Sequence, residues 1–231
     1  MPAAASQIET LLGFLPEFRR EYLSGSPAHP PCDVLIGTLR PFARHSPRLI
    51  LKLASSDARF SMGYDGSLCI HEPASLTRTK APHSDYDTSD LKPLTFHVEV
   101  RLPVNGEPPR FYSVAPLIDD VQFPNHPHMY RRRDLTRAGI FANALCVYPP
   151  HLDVWERAGG DLTTLMTLFS LWLAKHAHFA RSGHWLGPAV SHHPAALQAA
   201  LDLQPQLQSK PWWTAVNAPS VPDLSGLTGS R

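Results

Sequence analysis

Cysteine, net charge and long apolar runs are all scarce in this sequence of 231 residues. Three cysteines are too few, and too odd in number, for a disulfide framework, so we expect a reducing, cytoplasmic setting. A formal net charge of +1 argues against a protein that coats nucleic acid or an acidic membrane. The best apolar run, 162–174, is shorter than the ~20 residues of a membrane-spanning helix, and residues 1–7 lack the basic start of a secretory signal. We therefore expect no membrane partner and no direct nucleic-acid partner.

Proline and histidine are abundant instead, with 24 and 13 copies. This proline content is about twice the usual ~5%, which predicts many turns and argues against long helices throughout. The chain is 43% hydrophobic, which is enough for a core, and its length suggests one domain. We assign residues 1–203 to that domain and residues 204–231, rich in Pro, Ser and Gly, to a loose C-terminal tail.

The first predicted element is a helix that begins at a capping box formed by Ser6 and Glu9. Pro16 predicts a bend in this helix, and the Ser-Gly-Ser-Pro segment at 24–27 predicts its end. The apolar residues at helical spacing are Ile8, Leu11, Leu12, Leu15, Phe18 and Tyr22. Cys32 then falls in a proline-rich linker, where we interpret it as an incidental thiol.

The middle of the chain, 33–123, predicts an antiparallel meander. Gly63–Gly66 has the composition of a turn, and the alternation across 96–102 is typical of a half-buried strand. The segments of strand length are 34–39, 49–53, 59–62, 68–71, 96–102 and 110–115.

An irregular region and a long helix follow the meander. Two prolines in 123–128 exclude a central strand, and the four arginines in 131–137 are typical of a solvated loop. Asp161 is a good N-cap and Gly183 a plausible stop signal for a helix with one large apolar face. A helix of this kind packed on a meander gives the fold class α+β.

Each cysteine has a different context. Cys69 lies in a predicted strand, where a buried structural thiol is the default, because free cysteine behaves as a small hydrophobe. Cys146 precedes Val147-Tyr148-Pro149-Pro150, which breaks regular structure and can expose a thiol beside backbone N–H groups. Local context alone leaves Cys146 open between a catalytic and a structural role.

The histidines suggest a metal site at first sight, but their spacing does not support one. His126-x-His128 is too short a signal, and the chain has no CxxC, HExxH, G-x-S-x-G, P-loop or dinucleotide fingerprint. We expect no metal and no cofactor. His128 is the candidate for a histidine that polarises groups at Cys146.

Several short motifs follow one another between Phe123 and His193. They are Pro127-His128-Met129-Tyr130, Leu145-Cys146-Val147-Tyr148-Pro149, Trp155, Trp172-Leu173, Ser182-Gly183-His184-Trp185-Leu186-Gly187 and His192-His193. Together they resemble the ubiquitin-conjugating enzyme-like (UBC-like) proteins of bacteria, in particular the branch found in cyclic-oligonucleotide-based antiphage signalling (CBASS) systems. The resemblance implies an α+β, UBC-like fold with an N-terminal helix, an antiparallel meander, an active-site loop and a long C-terminal helix.

The resemblance also implies a chemistry, that of a transferase that carries a protein C-terminus as a thioester and passes it to an amine. Cys146 would be the nucleophile and His128 the donor to the oxyanion. The residues expected to contact partners are Tyr130, Tyr148, Trp155 and Trp185. The partners would be an activating enzyme and, as cargo, a ubiquitin-like protein or the C-terminus of a cyclic-nucleotide synthase.

Two alternatives stay open. One is a catalytically silent UBC-like module that only holds a partner, which the long basic insertion at 131–143 favours, since the family has a short turn there. The other is a cysteine hydrolase that uses Cys146 and His128. A second segment, 66–71, imitates the active-site pattern around Cys69, but it lacks the downstream tryptophan elements, so Cys146 is preferred.

Overall fold

The computed structural model describes residues 5–25, 30–54, 59–71, 94–104, 107–147 and 161–186. The helices and strands of these residues are α1 (Ala5–Phe14), β1 (Arg19–Leu23), β2 (Cys32–Leu39), α2 (Pro47–Ala54), β3 (Arg59–Met62), β4 (Leu68–His71), β5 (Phe96–Pro103), β6 (Arg110–Ala115), β7 (Met129–Leu135), β8 (Phe141–Leu145) and α3 (Leu162–Ser182). This mixture is compatible with the expected α+β class. Across the described ranges, no helix is both long and apolar enough to cross a membrane.

Six strands form one sheet in the order β1-β2-β5-β6-β8-β7, and every neighbouring pair is antiparallel. The predicted strands at 34–39, 96–102 and 110–115 are confirmed within it. The predicted hairpin of β3 and β4 is also confirmed, but it forms a separate two-stranded sheet. A single meander over 33–123 is therefore wrong, because α2 and this hairpin interrupt the order of the strands.

The first helix is shorter than predicted. It ends at Phe14, just before Pro16, and the chain then turns and forms β1 along β2. Proline cannot donate the backbone hydrogen bond that a continuing helix needs, so it ends the helix here rather than bending it. The capping box is also wrong, because Ser6 lies inside α1, where its carbonyl accepts a hydrogen bond from the Thr10 hydroxyl (2.8 Å).

Two other segments also differ from their predictions. Residues 49–53 belong to α2 rather than to a strand, and Ile50, Leu51 and Ala54 are its buried residues. Ser46 caps this helix by accepting the N–H of Leu49 (3.4 Å), and a proline follows at the first helical position. Cys32 is not in a linker but begins β2, where it is buried.

The basic segment predicted as a solvated loop is a hairpin of β7 and β8. Thr136 accepts the N–H of Gly139 and donates its own N–H to Ile140, which closes the turn, and Gly139 has a φ of 75°. The left-handed backbone at this position favours glycine. The insertion at 131–143 is therefore regular structure that extends the sheet.

One face of the sheet forms the main core with α1 and α3. Val98, Val100 and Phe111 lie in the same buried cluster as Leu11 and Phe169. The Asp161 carboxylate accepts the N–H groups of Thr163 and Thr164, and Gly183 has the left-handed conformation at the other end, so both predicted caps of α3 are confirmed. α3 buries more than the one predicted face, because Leu171, Ala174 and Ala177 pack in a second cluster with residues of α2 and β4.

On the opposite face of the sheet, the end of β7 and the turn that follows it contact buried polar groups of β5. Glu99 and Arg101 of β5 form an ion pair (2.8 Å) and are only 1% and 7% exposed. The Arg101 guanidinium donates to the carbonyl of Leu135, and the backbone N–H of Arg137 donates to Glu99 (2.7 Å). The prediction that β5 is half-buried is therefore wrong, since backbone groups of Leu135 and Arg137 replace water at its charged side chains.

Replacing Glu99 with glutamine tests the importance of this ion pair. Glu99→Gln leaves the Arg101 guanidinium buried without its charged partner, and we expect a loss of roughly 3–5 kcal/mol in the free energy of unfolding. The matched control is Glu17→Gln, which removes the exposed ion pair with Arg40 (2.8 Å) and should cost less than ~1 kcal/mol. Urea unfolding followed by tryptophan fluorescence measures both, and equal losses would contradict a structural role for the buried pair.

Candidate active site

Cys146 is placed by the end of β8 and the beginning of β7. It follows Leu145, the last residue of β8, and its backbone N–H donates to the carbonyl of His128 (3.0 Å). Met129 and Leu145 are register partners. The two short motifs that the sequence analysis singled out, one at 127–130 and one at 145–149, are therefore neighbours in space where they are described.

A cavity of about 350 Å³ lies beside Cys146. Its walls are mainly apolar, and its polar groups come from Glu107, Arg110, Tyr130 and Asp134. The complete lining is Glu107, Pro108, Pro109, Arg110, Phe111, Tyr130, Asp134, Ala144, Leu145, Cys146 and Val147. A pocket with apolar walls and a few convergent polar groups is the usual form of a site that binds a ligand.

The polar groups of the cavity are held by one another and by the sheet. Asp134 is 3% exposed and accepts the phenolic O–H of Tyr112 (2.7 Å). Arg110 lies between two carboxylates, 3.0 Å from that of Glu107 and 3.8 Å from that of Asp134. Glu107, Arg110 and Asp134 were not predicted as site residues, because Asp134 was assigned to a loop and no local pattern relates it to residues 107 and 110.

The thiol of Cys146 is buried, at 5% exposure, and not exposed as its local sequence suggested. Burial raises the pKa of Cys146 to about 12, and a hydrogen bond from Tyr130 opposes that rise. The thiol is therefore protonated at pH 7. Because the thiolate is the nucleophile, the resting site does not hold Cys146 in its reactive form.

The other two cysteines have different surroundings. Cys32 is buried at the start of β2, and burial raises its pKa. Cys69 is half-buried, and its sulfur lies 3.7 Å from the Arg44 guanidinium, so it is not the fully buried thiol that its strand predicted. Of the three, Cys146 is the one that lines the cavity.

His128 reaches Cys146 through its backbone, while its ring packs elsewhere. The imidazole lies against the indole of Trp185, with ring centroids 4.7 Å apart, and is not part of the cavity lining. Trp185 itself packs against Trp172 (5.5 Å between centroids).

Of the other residues predicted to contact partners, Tyr130 is 37% exposed and lies in the cavity wall. Tyr148 and Trp155, the other two residues predicted to contact partners, lie outside the described residues.

A pair of buried histidines beside this site was not predicted. His126 Nδ1 accepts the backbone N–H of His128 (3.1 Å), so the ring proton is on Nε2, which donates to His176 Nδ1 (3.1 Å). Both rings stack on Trp172. Burial lowers the pKa of His126 to about 3 and that of His176 to about 4, so both are neutral near pH 7. The signal in the sequence was the spacing of Trp172 and His176, which places them on one face of α3.

The described histidines were also considered as metal ligands. Within the parts of the chain that the structure describes, no group of three or more His, Cys, Asp or Glu side chains could hold a metal ion. The pairing of His126 with His176 is instead a structural contact that fixes the segment leading into His128.

Comparison with known proteins gives one match. The E2-CBASS family, described as Type II CBASS E2 protein, matches residues 86–193, slightly less than half of the chain. The matched range contains the cavity, Cys146 and α3. No curated protein and no solved structure matches this chain.

The buried histidine pair makes the stability of the protein depend on pH. An unfolded histidine has a pKa of ~6.5, so between pH 6.5 and 4 the unfolded chain binds more protons than the folded chain, and stability falls as the pH falls. We expect a loss of roughly 2–4 kcal/mol between pH 7 and pH 5 from His126 and His176 together. Urea unfolding at each pH measures this loss.

The control for this prediction is an exposed histidine. The double variant His126→Gln/His176→Gln should be less stable at pH 7 and should lose less stability on acidification, whereas His97→Gln should keep the wild-type pH dependence. A wild-type dependence in the double variant would show that other groups cause the loss.

Proposed function

We propose that this chain, whose residues 86–193 match the Type II CBASS E2 family, is the E2-like conjugating component of a type II CBASS antiphage system. In this role it accepts the C-terminus of a protein on Cys146 and passes it to an amine. The observation that carries the proposal is the position of Cys146 in the wall of a cavity, hydrogen-bonded through its backbone to His128. The order of an N-terminal helix, an antiparallel sheet, the cysteine segment and a long helix supports a UBC-like fold.

The first step is transthiolation. The sulfur of Cys146 attacks the carbonyl carbon of a thioester held by an activating enzyme, and a tetrahedral oxyanion forms. Collapse of this intermediate breaks the bond to the sulfur of the activating enzyme, which leaves as a thiolate and takes up the proton that Cys146 lost. The cargo is then a thioester on Cys146, and the activating enzyme is a free thiol again.

The second step is aminolysis. The neutral amine of the acceptor attacks the thioester on Cys146, an amide or isopeptide bond forms, and the C–S bond breaks. The amine loses one proton and the thiolate of Cys146 takes one up, so no oxidant or cofactor is required. The cargo is a ubiquitin-like protein or the C-terminus of a cyclic-nucleotide synthase.

The burial of the thiol sets a condition on this chemistry. With a pKa near 12, Cys146 must be ionised or uncovered when a partner docks, since the resting protein holds so little thiolate. The cavity wall contains Glu107, which is half-buried, and Pro108, which is exposed, so a partner can reach the cavity from the side of this loop. Docking of the activating enzyme is thus the step that makes the cysteine reactive.

The raised pKa of Cys146 also favours a second candidate, a catalytically silent UBC-like module that holds a partner protein. Such a module needs the cavity but not the thiolate. A cysteine hydrolase has less support, because it needs a histidine base at the sulfur, and the ring of His128 packs on Trp185.

Two alanine variants distinguish these functions. In the native host, we expect the wild-type protein to carry an adduct that is lost on treatment with a thiol reductant, since a thioester exchanges with thiols. Cys146→Ala should abolish this adduct and Cys69→Ala should leave it intact. Non-reducing gel electrophoresis followed by mass spectrometry measures it.

Loss of the adduct in Cys69→Ala, with retention in Cys146→Ala, would mean that the other cysteine is the nucleophile. An absence of any adduct on the wild-type protein, with its partners expressed, would favour the silent module.

A further inference from the structure

We infer that the hydroxyl of Tyr130, rather than the imidazole of His128, is the hydrogen-bond donor at the reacting sulfur of Cys146. This inference rests on the proposed function, in which Cys146 reacts as a thiolate. It gives Tyr130 the role of stabilising that thiolate, in addition to the partner contact that the sequence suggested. Four observations support the assignment.

The first observation is that the backbone of Tyr130 is fixed beside the end of β8. Its carbonyl accepts a hydrogen bond from the side-chain amide of Asn143 (2.8 Å), and Asn143 is completely buried. The amide oxygen of Asn143 accepts the N–H of Asp120 (3.1 Å), so both ends of this side chain are used. The position of Tyr130 therefore does not depend on the occupant of the cavity.

The second observation is that Tyr130 and Cys146 line the same cavity, beside apolar residues such as Phe111 and Val147. In apolar surroundings a hydrogen bond to a charged sulfur stabilises the charge more than it would in water. A phenolic O–H placed there can favour the thiolate that the walls of the cavity otherwise disfavour.

The third observation is the contact itself. The side chain of Tyr130 is hydrogen-bonded to the sulfur of Cys146 and lowers the pKa of the thiol, against the larger rise caused by burial. Apart from burial, this hydrogen bond is what shifts the pKa of Cys146.

The fourth observation concerns the competing residue. His128 uses its backbone N–H for His126 and its backbone carbonyl for Cys146, and its ring lies against Trp185. His128 is absent from the cavity lining, whereas Tyr130 forms part of it. His128 thus positions the backbone around Cys146, and its ring anchors this segment to the aromatic residues near the end of α3.

In the transthiolation step, Tyr130 acts without being consumed. Its O–H donates to the thiolate of Cys146 before attack, the C–S bond to the cargo carbonyl forms, and the negative charge moves to the carbonyl oxygen. Collapse expels the thiolate of the activating enzyme, and the proton balance of the step is unchanged. Tyr130 keeps its proton throughout and lowers the free energy of the ionised sulfur.

The test is the rate at which iodoacetamide alkylates Cys146 as a function of pH. It needs no partner protein, and mass spectrometry of the Cys146 peptide separates this thiol from Cys32 and Cys69. We expect Tyr130→Phe to slow alkylation of Cys146 by roughly 10- to 100-fold at a given pH below the thiol's pKa, since it removes a hydrogen bond to a charged group. A urea unfolding midpoint close to that of the wild type confirms that the variant is folded.

Two controls are matched to this variant. Tyr22→Phe removes a hydroxyl from a tyrosine that is 61% exposed on β1 and should leave the rate unchanged. His128→Asn should change the rate by less than about 3-fold if the ring is not a donor. Wild-type alkylation in Tyr130→Phe, or a large loss of rate in His128→Asn alone, would overturn the inference.

The same experiment separates this inference from the proposed function. Slow alkylation of Tyr130→Phe in a protein whose Cys146 never carries cargo would support the assignment of the donor and reject conjugation. Unchanged alkylation together with a cargo adduct on Cys146 would support conjugation and reject Tyr130 as the donor.

Discussion

The ion pair of Glu99 and Arg101 is the constraint on which the site depends. Both groups are nearly excluded from water, and each also binds the backbone of the hairpin region, Arg101 at Leu135 and Glu99 at Arg137. Two buried charges are tolerated only when their remaining hydrogen bonds are made, so the end of β7 and the following turn are held over β5. This fixes the hairpin whose other end carries Cys146. The candidate site is thus positioned by a buried ion pair of β5, a strand that neighbours the cavity residue Arg110 in the sheet.

Burial gives the site its second property, a cysteine that is placed but not ionised. The walls that form the cavity also raise the pKa of Cys146, and the hydrogen bond from Tyr130 offsets only part of that rise. In the proposed role as an E2-like protein, this combination would keep the thiol unreactive until a partner docks. The segment that leads into His128 is held by a different kind of contact. There the uncharged ring of His126 packs against the rings of Trp172 and Trp185. A silent binding module would need the same cavity, but it would have no use for a donor at the sulfur.

The parts of the fold that could be predicted are those whose signals are local. Asp161 and Gly183 mark the ends of α3 through their own side chain and backbone, and they were read correctly. Ser46 and the proline after it are an equally local signal for the start of α2. The prediction of a strand at 49–53 used only the length of the apolar run and so missed this signal. The β7–β8 hairpin could not be predicted from local signals, because its polar backbone atoms bind groups that are distant in the chain. Arg101, which binds the carbonyl of Leu135, is more than thirty residues away. Its charges therefore looked like those of a solvated loop. The resemblance predicted Cys146, but only the structure placed Tyr130 at its sulfur.

The most direct test of the central claim is the intact mass of the Cys146→Ser variant recovered from its native host, with its activating partner expressed. A serine oxyester breaks more slowly than a thioester, so cargo received from the activating enzyme should remain attached. The account predicts a protein adduct joined through the serine at position 146, whose mass identifies the cargo, and no such adduct on Cys146→Ala. An unmodified mass for Cys146→Ser would contradict conjugation and leave a module that only binds its partner.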